Sequence, residues 1–172
     1  MRAMVIAVAA VYVVPACADD PNTASAKQIA GLFMQSCVQF AGDKNGLRDW
    51  AKKTGLKELP AQVQEQFLYG LPGVVFDASN KDGKFVLVSE DGGSCSAIAD
   101  AANGTGVIAN LEQDMNAAKM TFKMTAEKID AVEKNLKHRE YLASLAGREW
   151  LLLISTVKDP EVGQAMLTAN RY

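Results

Sequence analysis

The chain contains a single histidine, His138, and this limits the acid–base chemistry that the sequence can support. A Ser-His-Asp triad would have to use His138, but any serine or aspartate could be proposed as its partner. The residue lies in a charged run over residues 137–140, which is typical of a solvated surface. We therefore interpret His138 as a surface residue and predict no catalytic residues.

Acidic side chains are numerous, but none forms a pair with diagnostic spacing. Glu127, Asp130 and Glu133 recur every three residues between lysines, which predicts the solvated face of an amphipathic helix over residues 126–136. Residues 77–83 include the glycine of a calcium loop, but the alignment places Ala78 and Ser89 where carboxylates are required. We predict a hairpin turn there, and no metal or cofactor site in the chain.

The first twenty residues have the pattern of a secretory signal peptide. Arg2 precedes an apolar run over residues 3–14, and Pro15 and the small residues Ala16-Cys17-Ala18 follow it. The run is shorter than the roughly 20 residues that span a bilayer. We predict cleavage after Ala18, which gives a signal peptide over residues 1–18 and a mature chain over residues 19–172.

A second route of processing stays open at the same place. Val14-Pro15-Ala16-Cys17 is similar to a bacterial lipoprotein box, in which Cys17 would carry the lipid. Both routes export the chain, and only acylation of Cys17 would attach it to a membrane. We prefer the soluble product, with a periplasmic or secreted location.

The two other cysteines, Cys37 and Cys95, are predicted to form a disulfide because an exported chain meets an oxidising compartment. The loop between them is long enough that, in the chain-entropy account, the bond would stabilise the fold by about 4 kcal/mol. The chain has no C-x-x-C motif, and His138 is distant in sequence, so a metal site at these cysteines is disfavoured.

Apolar periodicity predicts how these residues are positioned. Residues 19–25 are polar and are expected to form a flexible lead-in. Helical spacing and period-two alternation then predict the remaining elements. The predicted helices are 27–40, 47–54, 60–69, 107–119 and 126–136, and the predicted strands are 74–76, 84–90, 94–99, 120–125, 139–145, 149–156 and 164–169.

This order predicts an α+β domain, with an antiparallel sheet of two meanders and helices packed on one face. The order of elements is similar to that of profilin-like and PAS-like sheets. We find no repeat and no long linker, so residues 19–172 are expected to form a single domain. With 49% apolar residues the chain is globular, and its net charge of −2 provides no basic field for nucleic acid.

The best candidate for a partner surface is the pair of segments on either side of Ala146-Gly147. Arg139, Tyr141, Arg148 and Trp150 are of the residue types enriched at binding hot spots, and a hairpin would bring them together. The alternative is that they pack across strands at the end of the sheet.

Several segments form a recognisable layout. They are the leader, Phe33-Met34-Gln35-Ser36-Cys37, Gly92-Gly93-Ser94-Cys95, Gly147-Arg148-Glu149-Trp150 and residues 163–169. This layout resembles small exported proteins of Gram-negative bacteria that carry no assigned activity, and the resemblance covers most of the mature chain. The size of the chain, its predicted export and its predicted disulfide are also similar to those of periplasmic immunity proteins that neutralise type VI secretion toxins.

From these observations we expect a non-enzymatic binding module that recognises a protein or a small ligand in the cell envelope. An immunity-like or inhibitor-like role is the most specific form of this hypothesis. One alternative is a small envelope hydrolase whose two carboxylates are distant in sequence. Another alternative is a lipid-anchored assembly factor of the envelope.

Overall fold

The computed structural model describes residues 21–157 and 162–172, so the predicted signal peptide, Ala18 and Cys17 lie outside the described residues. Four α-helices and eight strands are present in this part of the chain. The helices are α1 (Pro21–Phe33), α2 (Lys44–Lys53), α3 (Ala61–Leu68) and α4 (Gly104–Ala117); the strands are β1 (Lys57–Glu58), β2 (Gly73–Asp77), β3 (Phe85–Glu90), β4 (Cys95–Asn103), β5 (Thr121–Ile129), β6 (Leu136–Leu145), β7 (Arg148–Val157) and β8 (Val162–Arg171).

The strands form one antiparallel sheet in the order β1-β2-β3-β4-β8-β7-β6-β5. Strands β1 to β4 make one meander and strands β5 to β8 make a second. The meanders join where β4 pairs with β8, with Ala97 opposite Leu167. The predicted mixed α+β class and the antiparallel sheet are confirmed.

Helices α1 and α4 cover one face of this sheet, and the main core lies between them and the strands. Ile29 of α1 and Leu111 of α4 are fully buried against strand residues such as Leu87 and Leu152. Because side chains alternate along a strand, the neighbours of these core residues lie on the opposite face. None of the helices in the described ranges is long and apolar enough to cross a membrane.

Helix α3 lies on the other face, so the prediction that the helices pack on one face is not confirmed. Leu68 at the end of α3 packs with Val75, Val88 and Ile98, which form a second, smaller apolar cluster. Each of these three strand residues alternates with a residue of the main core. The sequence predicts α3 but contains no local signal for the face that it covers.

The predicted disulfide is present. Cys37 and Cys95 are bonded, with their Cα atoms 5.1 Å apart, and both are buried. Cys37 lies in a π-helical segment, Met34–Val38, that continues α1, and Cys95 begins β4. The bond therefore ties the first helical segment to the middle of the sheet and is typical of proteins that fold in an oxidising compartment.

The predicted helix over residues 126–136 is wrong. Strand β5 continues through Ile129, a turn follows, and β6 begins at Leu136. A bulge at Thr125 changes the spacing of β5, so that Met124 and Glu127 pair with Tyr141 and Arg139 of the same face. The spacing of Glu127, Asp130 and Glu133 that predicted a helix is therefore divided between the end of β5 and the turn before β6.

Two smaller differences concern the first half of the chain. Helix α1 begins at Pro21, inside the segment predicted to be a flexible lead-in. The two-residue strand β1 was not predicted, because a single pair of residues carries no periodic signal. The helix predicted near residue 47 is present as α2, and Gly55 after it has a φ of +84°.

Candidate functional site

The sheet has an exposed surface on the face of β4, β8, β7 and β6 that lies opposite α1 and α4. Helix α3 covers only its margin beside β2 and β3. Met166 and Leu142 of this face are 38% and 45% exposed, respectively. We call this surface the open face; its residues are Ser96, His138, Glu140, Leu142, Leu151, Leu153, Ser155, Met166 and Thr168.

Two cross-strand rows of side chains run along the open face. In one row Ser96 pairs with Thr168, and Thr168 pairs with Leu153. In the other row, Met166 pairs with Ser155, and Ser155 pairs with His138. The rows thus bring together residues that are up to 72 positions apart in the chain.

The open face contains a cleft where it meets α3. The cleft has a volume of about 430 Å³ and lies between the C-terminal end of α3 and strands β3, β4 and β8. Its lining is mainly apolar and uncharged polar, and Glu90 is the one charged side chain in it among the described residues. The lining residues are Gln66, Phe67, Tyr69, Val88, Glu90, Ser96, Ile98, Gln164, Met166 and Thr168.

Tyr69 forms the rim of this cleft in an unusual backbone conformation. Its φ of +49° and ψ of +36° are left-handed, and the residue is 87% exposed. Gly70, which follows, also has a positive φ of +82°. A left-handed tyrosine costs about 1–2 kcal/mol relative to ordinary backbone, so the fold holds this ring in solvent against a local preference.

A hydrogen-bonded pair of hydroxyl groups lies in the floor of the cleft. Ser96 Oγ and Thr168 Oγ1 are 2.8 Å apart, and either atom can be the donor. Ser96 is buried, whereas Thr168 is partly exposed. Because one of the two hydroxyl hydrogens satisfies the mutual bond, the pair has a second hydrogen and further lone pairs to offer a ligand.

A second hollow of about 340 Å³ adjoins the cleft and shares Met166 and Thr168 with it. His138 lies at its centre. The Nδ1 atom of His138 is 2.8 Å from Ser155 Oγ, and its Nε2 atom is 3.0 Å from Asp130 Oδ2. His138 is therefore a half-buried, hydrogen-bonded residue, and the prediction of a solvated surface residue is wrong.

Asp130 is held by the backbone as well as by the ring of His138. Its Oδ1 atom accepts hydrogen bonds from the amides of Glu133 and Val132, each at 2.8 Å. These two backbone hydrogen bonds, followed by the one from His138, lower the pKa of Asp130 to about 2. Asp130 thus caps the turn that replaces the predicted helix.

The Asp130–His138–Ser155 group has the residue types of a catalytic triad, but the two ring nitrogens of His138 are used in the reverse order, since Nδ1 faces the serine and Nε2 faces the carboxylate. Both ring nitrogens of His138 are engaged, one by the serine and one by a carboxylate that also binds two backbone amides. Ser155 lies in the middle of β7, directly opposite His138 on β6. Chemically, the group can fix the turn between β5 and β6 against β7.

The four residues of the predicted partner surface differ in how far they are buried, so they do not form one exposed surface. Tyr141 is 1% exposed and Trp150 is 2% exposed, because both side chains lie in the core under α4 and α1. Arg148 lies over the ring of Trp150 at 5.4 Å, and Arg139 donates to Glu127 at 2.6 Å. The two aromatic residues therefore pack across strands, Arg139 is largely buried in its contact with Glu127, and Arg148 is exposed.

Tyr141 makes a polar contact inside this core. Its hydroxyl donates to Glu112 Oε1 of α4 at 2.8 Å. Burial raises the pKa of Tyr141, and the hydrogen bond to Glu112 raises it further. The contact links α4 to β6 and positions the helix that connects the two meanders.

The hydrolase alternative calls for two carboxyls with raised pKa in one cavity. Burial raises the pKa of the Asp114 carboxyl, whereas hydrogen bonds to Ser79, Arg48 and Arg139 lower the pKa of Asp77, Asp91 and Glu127. Such a pair is not found among residues 21–157 and 162–172. The same residues contain no group of three or more metal-ligating side chains.

The residues of the cleft carry no sequence motif, which is why sequence reasoning missed them. Gln66 and Tyr69 belong to a predicted helix, and Ser96, Gln164 and Thr168 belong to predicted strands, but their proximity depends on the pairing of β4 with β8. One local signal could have pointed to the cleft. Tyr69 precedes Gly70 and Pro72 at the end of a helix, where the turn needs no aromatic residue, so the tyrosine is a candidate for contact with a ligand.

No protein-family model, curated protein or solved structure matches this chain. The resemblance to exported Gram-negative proteins and to immunity proteins therefore stays a prediction.

Proposed function

We propose that this chain is a non-enzymatic binding module of the cell envelope and that it contacts its ligand through the open face. The observation that supports this proposal is the pair of adjoining hollows, which share Met166 and Thr168 on the face left uncovered by α1 and α4. In the cleft, exposed apolar groups lie next to uncharged polar groups, which is typical of ligand sites. The disulfide supports export, and the proposed location is the periplasm or the cell exterior.

A binding role also agrees with the state of the polar groups beside the second hollow. Ser155, His138 and Asp130 satisfy one another, and Asp130 binds two backbone amides. Such a network keeps a surface rigid before a ligand arrives, which lowers the entropy cost of binding. The immunity-like or inhibitor-like role is the form of this proposal in which the ligand is a protein.

Site-specific photo-crosslinking in intact cells tests the proposal. A photoreactive p-benzoylphenylalanine replaces Met166 on the open face, and in a matched control it replaces Gln113, an exposed residue of α4 on the opposite side of the molecule. Illumination is expected to attach one envelope component to position 166 and none to position 113. Mass spectrometry of the adduct then distinguishes a protein from a glycan.

The specificity of the adduct is checked by competition with an excess of the unmodified protein, which is expected to suppress it. The variant Leu142→Arg introduces a charge into the exposed apolar part of the open face and is expected to weaken the adduct as well. Equal labelling at positions 166 and 113, or labelling that the competitor does not reduce, would contradict the proposal.

A further inference from the structure

We infer that the cleft between α3 and the open face binds an uncharged saccharide. This inference rests on the proposed function and deepens it, because it names the class of ligand for one of the two hollows. Three properties of the described lining residues support it. The cleft has an aromatic wall, its polar groups are mostly uncharged, and its described lining contains one charged side chain.

The cleft has the size and shape for such a ligand. Its volume of about 430 Å³ lies within the range of about 300–1,000 Å³ that is usual for small-molecule sites. Phe67 and Tyr69 form its aromatic wall and rim, while Ile98 and Met166 belong to its apolar part. A sugar ring presents apolar C–H groups on its faces, and these groups pack well against an aromatic ring.

Tyr69 is the clearest indication of a ligand at this wall. Its ring is exposed, and its backbone is in a left-handed conformation that a glycine would adopt without cost. Strained residues that are held in place by their surroundings occur preferentially at ligand sites. The left-handed conformation ends α3, and a platform for the apolar face of a sugar accounts for the exposure of the ring at this place.

Uncharged polar groups complete the cleft. Gln66 and Gln164 each carry an amide that both donates and accepts hydrogen bonds, and the Ser96–Thr168 hydroxyl pair does the same in the floor. Sugar hydroxyls also donate and accept, so the two sets of groups are complementary. An ammonium group only donates, so it cannot pair with the amide oxygen and the amide NH2 group together.

The charge of the cleft disfavours anions. Glu90 is the one charged residue among the described lining residues, and no lysine, arginine or histidine is present in that lining. A phosphate or carboxylate in the cleft would therefore meet a negative charge, whereas the cations Lys128 and Arg139 line the adjoining hollow instead. An organic cation could use Glu90 and the aromatic rings, and it is the alternative that the experiment must separate from a sugar.

NMR titration of the disulfide-bonded chain provides the test. The probes are a panel of uncharged oligosaccharides of glucose, galactose, mannose and N-acetylglucosamine, with choline as the cation and inorganic phosphate as the anion. At least one oligosaccharide is expected to shift the amide signals of residues 66–69, 96 and 164–168, and neither ion is expected to do so. Shifts caused by choline instead, or no shift with any saccharide at millimolar concentration, would overturn the inference.

Matched variants locate the binding. Tyr69→Gly is expected to weaken saccharide binding by about 10-fold or more, since it removes the aromatic rim. Ala146→Gly, at another non-glycine residue with positive φ, is expected to leave binding unchanged. Gln164→Leu is expected to weaken binding, whereas Gln113→Leu on α4 is expected to leave it unchanged. Equal binding by Tyr69→Gly and the unmodified chain would also overturn the inference.

The two proposals fail in different ways. If the titrations fail but position 166 still gives a specific adduct with a protein, the saccharide is wrong and the binding module stands. If the titrations fail and positions 166 and 113 are labelled equally, the proposed function is also wrong.

Discussion

His138 and Ser155 face each other across β6 and β7, with His138 Nδ1 2.8 Å from Ser155 Oγ. The opposite side of the same imidazole is 3.0 Å from the carboxylate of Asp130, which caps the turn between β5 and β6. One histidine therefore connects a turn to the centre of the sheet. This arrangement allows a structural role and a catalytic role to be distinguished by experiment.

If the role is structural, Ser155→Ala lowers the free energy of unfolding by about 1 kcal/mol, the usual net value of one partly buried hydrogen bond. Urea denaturation measures this change. Ser144→Ala provides the control, because Ser144 lies on β6 on the same face of the sheet as Ser155. It is expected to change the free energy of unfolding by less than about 0.5 kcal/mol.

The same pair of variants tests a catalytic role. An activated serine would react with a fluorophosphonate probe. We expect the unmodified chain to remain unlabelled because Ser155 lies inside a strand that pairs with β6 and with β8, so that the backbone amides around it are used in the sheet and do not form an oxyanion hole. Labelling of the unmodified chain that is lost in Ser155→Ala and kept in Ser144→Ala would support a hydrolase.

Asp130 is expected to make the fold sensitive to acid. Its pKa of about 2 lies below the value of about 3.9 for an aspartate in an unfolded chain, so its charged form favours the folded state. This stabilisation is complete above about pH 4 and is lost as the pH falls toward 2. Between these values, the free energy of unfolding should fall more steeply for the unmodified chain than for Asp130→Asn.

Urea unfolding at a series of pH values measures this difference. Asp49→Asn, on an exposed part of α2, controls for the loss of one negative charge and is expected to follow the unmodified chain. Parallel curves for the unmodified chain and Asp130→Asn would show that the contacts of Asp130 do not stabilise the fold.

The strands could be predicted from sequence because their signals are local. Alternation of apolar residues identifies β3 and β7. The pairing of Cys37 with Cys95 has no local signal, and its prediction rests on the expected export and the number of cysteines. The continuation of β5 could not be predicted, since the bulge at Thr125 interrupts its alternation. Periodicity describes one strand and contains no information about its partner.

The candidate site depends on that missing information. Ser96 and Thr168 are 72 positions apart, and they become neighbours only because β4 pairs with β8 in one register. A shift of β8 by one residue would move the Thr168 hydroxyl to the core face and away from Ser96. Tyr141 and Trp150 are likewise buried because of the face of the sheet that α4 covers. At the level of sequence only their residue types are known, and these suggest a partner surface.

The Cys37–Cys95 disulfide should account for a large part of the stability. The double variant Cys37→Ala/Cys95→Ala is expected to lower the free energy of unfolding by up to about 4 kcal/mol, because the unfolded chain loses the constraint of a long loop. Urea denaturation of this variant and of the chain treated with dithiothreitol measures the effect. Since reduction removes the same constraint, the two measurements should agree, and an unchanged midpoint in both would contradict the prediction.

Tyr69 should show a conflict between stability and binding. Its left-handed backbone destabilises the fold by about 1–2 kcal/mol, and its exposed ring makes few packing contacts that would stabilise the folded chain. Glycine removes this cost but gains entropy in the unfolded state, which offsets about 0.5–1 kcal/mol. Tyr69→Gly is therefore expected to raise the free energy of unfolding by up to about 1 kcal/mol.

Ala146→Gly is the matched control for this prediction, since Ala146 has a φ of +51° in the turn between β6 and β7. Urea denaturation should give a similar gain for both variants, whereas only Tyr69→Gly loses affinity for the saccharide. A loss of stability in Tyr69→Gly alone would mean that the ring packs on the fold and that its exposure serves no ligand. A gain in stability together with lost binding would mean that the chain retains a strained tyrosine because the ligand requires it.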